Sequence, residues 1–161
     1  MNYDVFSQME NGTLTQNPEE TEQSFMERVL QAVFMSDESK QETINDVLSP
    51  SFVACSAEKK TLCVEFEVSN WMRNPSGTLH GGILSTAVDI AVGVLARFYK
   101  QTRRMVTVNL SVNYLSTVPA DSKYCVCTAV DRVGRRMVFA RADVYVVETG
   151  KLAATASVTF V

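Results

Sequence analysis

The alternation of apolar and polar side chains changes period along the chain. Between Glu19 and Met35, the residues Phe25, Val29, Ala32 and Val33 recur at helical spacing, with Glu19, Glu20 and Glu22 in the first turn. Carboxylates favour a helix N-terminus, so this stretch predicts a helix over 19–35. A second, short helix is expected over Ser39–Leu48. Residues 1–18 are polar, contain Asn-Gly and Asn-Pro, and read as loose. After Pro50 the period becomes two. Leu62, Val64, Phe66 and Val68 alternate with Cys63, Glu65, Glu67 and Ser69, which predicts a half-buried strand. Phe52 to Cys55 is expected to pair with it across Ala57-Glu58-Lys59-Lys60. A helix is then predicted over about Thr78 to Tyr99. From Met105 onward only strands are expected. Val106, Val108, Leu110, Val112 and Tyr114 alternate with Thr107, Asn109, Ser111 and Asn113, and three more runs cover Lys123–Val133, Met137–Val147 and Lys151–Val161. Gly134 and Glu148-Thr149-Gly150 mark the turns between those runs.

The order is two strands, one long apolar helix and four strands. A helix that apolar must be covered on most sides. The fold class expected is therefore α+β, with a curved antiparallel sheet of five to six strands wrapped around the helix and a helical extension before it. The run Gly81 to Phe98 holds Asp89, Arg97 and three glycines, and reads as a buried core helix rather than a membrane span. The β-branched outer face of the sheet is expected to meet a second subunit.

At 161 residues the chain suits one sizeable core. Charge divides it: residues 1–50 carry ten Asp/Glu against two Lys/Arg, and residues 51–161 carry eight against thirteen. The expected organisation is an acidic, partly helical extension over 1–50 and a basic body over 51–161. A basic body suits a small phosphate-bearing ligand or an ordinary solvated surface. The overall balance of −3 gives no reason to expect nucleic acid. The four cysteines, Cys55, Cys63, Cys125 and Cys127, form no C-x-x-C pair, and His80 is the chain's single histidine. No metal is expected, and the cysteines read as small buried hydrophobes, Cys125 and Cys127 on one strand face. The N-terminus lacks a basic and then apolar leader, so a reduced, cytoplasmic setting is expected.

The chemistry concentrates in NPSGTLHGGILSTAVD, Asn74 to Asp89. Glycine lets a ligand approach the backbone closely, and the first N–H groups of a helix lack partners at its positive end. Gly81 and Gly82 thus suit a carbonyl oxygen that gains negative charge; they equally suit close packing on a strand. His80 and Asp89 stand nine residues apart, which in one continuous helix is half a turn beyond two full turns, with a rise of roughly 13 Å. One chain does not readily bring both to one atom; two chains related by a two-fold axis do if their helices lie side by side, and otherwise Asp89 reaches solvent or an arginine.

This motif resembles that of hot-dog-fold acyl-CoA thioesterases of the phenylacetate-pathway (PaaI-like) type, which show Asn-x-x-Gly-x-x-His-Gly-Gly and an aspartate nine residues after the histidine. The resemblance runs from about Ser51 to Val161 and includes V-N-L-S-V-N-Y-L and G-K-L-A-A-T-A. It implies that Asp89 is the catalytic carboxylate, acting as general base on water or attacking the thioester itself. It implies that the Gly81 N–H polarises the thioester carbonyl, that Asn74 positions that carbonyl or the water, and that His80 lies near the sulfur. Thr107 falls where some relatives have a hydroxyl that holds the water. Gly82, Arg104, Gly134, Arg135 and Arg136 are candidates for the coenzyme A end, with Arg97, Lys100, Arg103 and Arg132 in the same two basic clusters. The resemblance implies hydrolysis of an acyl- or aryl-CoA to free acid and CoA, without metal or redox cofactor, by a homo-oligomer with the dimer as minimal active unit and a tetramer as its assembly. A non-catalytic acyl-CoA sensor is the rival reading, though a sensor needs no base; a hydratase of the same fold is a third.

Overall fold

The structure is a computed structural model, and it describes residues 1–35 and 43–161. Four helices and six strands follow in the order α1 (Asp4–Glu10), α2 (Glu22–Phe34), α3 (Ile44–Leu48), β1 (Ser51–Ser56), β2 (Thr61–Glu67), α4 (Gly81–Lys100), β3 (Thr107–Tyr114), β4 (Lys123–Val133), β5 (Val138–Val146) and β6 (Leu152–Phe160). The strands form one antiparallel sheet in the order β1-β2-β4-β5-β6-β3. The sheet wraps α4, whose Leu84, Ala87, Val88, Ile90 to Ala96 and Phe98 are buried. The alternation in β2 holds as expected: Leu62, Val64, Phe66 and Val68 are all buried. Turns stand at 57–60, around Gly134 and before Lys151; Gly150 takes a positive φ of 66° in the last.

Residues 1–18 differ from the expected loose segment. They contain α1, whose Val5, Phe6 and Met9 are buried. A helix of one or two turns is not stable by propensity; it forms because its apolar face has somewhere to dock. Its side-chain cap is missing, but the terminal amine pairs with Asp46 and the Tyr3 hydroxyl accepts from Asn45 Nδ2 at 2.8 Å. Helix α2 begins after Thr21, whose hydroxyl accepts from the Ser24 N–H at 3.1 Å, so Glu19 and Glu20 stand outside it. Of the helix expected over Ser39–Leu48, the described part is α3, capped by Thr43; the rest lies outside the described residues. Val5, Phe6, Phe25, Met26 and Val29 share one apolar cluster with Val88, Ala91 and Leu95, so α1 and α2 of the acidic extension pack onto the body.

The cysteines also correct the reading. None of the four is fully buried. Cys63 and Cys127 oppose each other directly across β2 and β4 and are joined as a disulfide. They stand on the sheet face away from α4, since their neighbours Val64, Val126 and Thr128 fill the inner face.

Candidate active site

Helix α4 starts at Gly81, three residues later than expected. His80 is its N-cap, in extended backbone, and its Nδ1 accepts from the Gly82 N–H at 3.0 Å. Two consequences follow. His80 is off the helix face, so the expected half-turn offset from Asp89 does not describe it. The Gly82 N–H is occupied by the cap, which removes it as a ligand donor. The Gly81 N–H, by contrast, has no acceptor among the described residues. It stands alone at the positive end of an apolar helix.

The loop before it is rigid for local reasons. Asn74 Oδ1 accepts from the N–H groups of Ser76 and Thr78 at 3.0 and 3.2 Å, and its Nδ2 donates to Thr78 Oγ1 at 3.0 Å. Gly77 takes a φ of 77°, which closes the turn at little cost to glycine. The His80 N–H donates to the Met72 carbonyl at 2.8 Å and the Leu79 N–H to the Val118 carbonyl at 3.0 Å, seating the helix start between two chain segments. A cavity of about 330 Å³ opens there, lined by Asn74, Thr78, Leu79, Gly81, Leu84 and Tyr114 among others.

Tyr114 is the site residue that sequence reasoning missed. Its hydroxyl donates to the Gly81 carbonyl at 2.9 Å and lies 2.6 Å from Ser85 Oγ. Its ring would stand 3.2 Å from a Cβ placed on Gly81. The only signal was its position in V-N-Y-L, where it read as one more apolar strand residue. This contact gives a prediction. Gly81→Ala is expected to lower kcat/KM about tenfold or more while the melting temperature moves little, because the methyl pushes Tyr114 and narrows the approach to the N–H. Gly81→Ala with Tyr114→Leu should recover part of the loss. A lowered melting temperature with normal specific activity would mean that Gly81 serves packing alone.

Asp89 lies eight residues further along α4, half-buried, and its Oδ1 accepts from Thr107 Oγ1 at 2.6 Å. Strict alternation had put Thr107 on the face opposite Leu110 and Val112. A bulge between Thr107 and Asn109 changes that: Thr107 pairs with Phe160 and Leu110 with Val158, both inward-facing partners. The extra residue turns the Thr107 hydroxyl inward, onto the carboxylate. Thr107→Val should therefore cost roughly ten- to hundredfold in kcat, the worth of one hydrogen bond to a charged group, with KM nearly unchanged in steady-state kinetics.

The basic candidates lie elsewhere. Lys100, at the end of α4, donates to the Gly134 and Arg135 carbonyls at 3.2 and 2.9 Å, so the Gly134 turn with Arg135 and Arg136 sits at the C-terminal end of the helix. The helix has 20 residues, which puts that end roughly 30 Å from Gly81. Arg104, Arg135 and Arg136 are exposed. Arg97 is not a free phosphate contact. Its guanidinium donates to the Met105 and Arg103 carbonyls at 2.9 and 3.2 Å and lies over the Tyr3 ring, 5.4 Å from its centroid. Burial, the largest influence, lowers its pKa, and Asp89 is among the groups that oppose the shift. Arg103 approaches Asp4 and Glu10 of the N-terminal segment. The structure thus joins Asn74 and Gly81 at one end, Asp89 and Thr107 part-way along, and leaves the arginines at the other end.

A long apolar helix wrapped by a six-stranded antiparallel sheet, with glycine at its open N-terminus, defines the class as hot-dog. Residues 76–153 match the family model described as thioesterase superfamily. The chain is 34% identical over 116 residues to PA0474 of Pseudomonas aeruginosa, a protein that carries the name of an esterase; the match covers 71% of this chain and 84% of that one. It is 28% identical to mouse acyl-coenzyme A thioesterase 13, over 67% of this chain and 76% of that enzyme. The E. coli PaaI protein of the phenylacetic acid degradation operon shares the fold, with a TM-score of 0.64 at 16% identity, over 74% of this chain and 83% of that one. The chain belongs to the thioesterase superfamily, whose members hydrolyse thioesters.

Proposed function

We propose that the protein hydrolyses an acyl-CoA or aryl-CoA thioester to the free acid and CoA. The observation that carries this reading is the Gly81 N–H, without an acceptor among the described residues, on a residue that lines a cavity at the start of an apolar helix. In this mechanism the thioester carbonyl oxygen accepts from that N–H, and the helix end stabilises the charge it gains. Asn74 holds the loop that frames the carbonyl. Asp89 takes a proton from water as the water oxygen bonds to the carbonyl carbon; direct attack by Asp89 is the variant. The C–S bond then breaks, and the sulfur leaves with a proton as free CoA. His80 Nδ1 is an acceptor in the cap, which leaves Nε2 as the donor available near the sulfur. No metal or redox group takes part.

The site is shared between two chains. Gly81 and Asp89 are eight residues apart in α4, a rise of roughly 12 Å, too far to serve one carbonyl group. Asp89 sits beside β3, an edge strand that no described strand covers on its outer side, and Val106 and Val108 are 65% and 52% exposed there. An isologous dimer across this edge brings Asp89 of one chain to Gly81 of the other. The phosphates of CoA would then be met by arginines of a chain other than the one supplying Gly81, with Arg104, Arg135 and Arg136 as candidates. The reading keeps the cytoplasmic setting and a tetramer built from two such dimers.

The test is release of free thiol from a panel of short, long and aromatic acyl-CoA thioesters by purified protein. Thiol release with saturation kinetics on at least one member is the expected result. Tight binding without release would favour the sensor reading.

A further inference from the structure

We propose that the reduced protein binds one soft, thiophilic metal ion, monovalent copper, on Cys63, Cys125 and Cys127. The three Sγ atoms lie within 4.8 Å of one another on the outer face of the sheet. The register explains the convergence. Cys63 faces Cys127 directly across β2 and β4, with Cα atoms 4.1 Å apart, and Cys125 follows two residues along β4 on the same face. Cys125 Sγ already lies 3.8 Å from Cys127 Sγ. Three thiolates around one ion, at metal–sulfur distances of about 2.3 Å, stand roughly 4 Å apart. The ladder on both sides of β4 holds the backbone at that spacing, so the array is built before an ion arrives.

Thiolates alone select a soft ion, and three of them suit copper(I) better than zinc, which wants a fourth ligand. Glu65, which opposes Cys125 across β2, is paired with Lys123, and Asp143 opposes Cys127 across β5, so neither carboxylate is needed as a ligand. All three cysteines are half-buried in the single chain. Cys55 stands apart, held against Gln23. The bond between Cys63 and Cys127 must first open. A phosphine supplies the two electrons and leaves as its oxide, taking the oxygen of a water molecule whose two protons go to the two sulfurs. Copper(I) then displaces three thiol protons, with no further change of oxidation state. The site departs from the expectation of no metal, which rested on motif spacing along the chain rather than on neighbours across the sheet.

The experiment is a titration of phosphine-reduced, full-length protein under anaerobic conditions with copper(I) held by a coloured chelator, bicinchoninate. Wild type, Cys55→Ser and Asp143→Asn should each withdraw one equivalent per chain. Cys63→Ser, Cys125→Ser, Cys125→Ala and Cys127→Ser should each bind at least about tenfold more weakly, as should the unreduced protein. Wild type that withdraws no copper, Cys125 variants as tight as wild type, or loss of uptake in Cys55→Ser or Asp143→Asn would overturn the three-thiolate site.

Discussion

Asp89→Asn lowers kcat by a factor on the order of 10²–10⁴, the range general-base catalysis supplies, while KM and the melting temperature stay close to wild type. The separation of effects is the content of this expected result. Asparagine keeps the size of the side chain, and its amide oxygen still accepts the Thr107 hydroxyl that Asp89 Oδ1 accepts now. Helix α4 therefore loses no packing and the β3 edge keeps its anchor. What disappears is the ability to take a proton from water or to attack a carbonyl carbon. Steady-state kinetics on a thioester that wild type cleaves, with a thermal melt on the same preparation, reads both sides. Activity within a few-fold of wild type would remove Asp89 from the mechanism.

Mixing two dead enzymes restores activity. Asp89→Asn chains and Asn74→Ala chains, co-expressed or refolded together, form dimers in which one site carries both lesions and the other carries neither. A statistical mixture then shows up to about one wild-type site in four, because the isologous interface of the proposed dimer would pair Asn74 and Gly81 of each chain with Asp89 of its partner. If each chain held a whole site, every site would carry one lesion, and the mixture would stay as inactive as its parents. Tagged chains that prove heterodimers are present make a dead mixture decisive. The motivation is the helical rise between Gly81 and Asp89, together with the open β3 edge beside Asp89.

Local pattern carried much of this molecule. The alternation in Leu62, Val64, Phe66 and Val68 marked β2 because one face of that strand is buried, and burial is what writes period two into a sequence. The apolar run after Gly81 marked the core helix for the same reason. Helix α1 left no such trace. Seven residues are too few for a helical period to stand out, and its stability comes from docking against the body. Tyr114 was legible as a strand residue but not as the ring beside Gly81, because that contact joins residues 33 positions apart.

From the sequence alone came the order of elements from β1 onward, the single long apolar helix they enclose, and the glycine at its start; each rests on spacing between near neighbours, which chain geometry translates directly into local structure. Only the tertiary structure decided which groups meet. The bulge in β3 turned Thr107 onto Asp89 against strict alternation, the cap at His80 took the Gly82 N–H and left that of Gly81 without an acceptor among the described residues, and the register of β2 on β4 gathered three cysteines on one face. Those outcomes depend on strand register and on where a helix begins. A shift of one residue reverses either, and the energies that settle it come from partners far away in the chain.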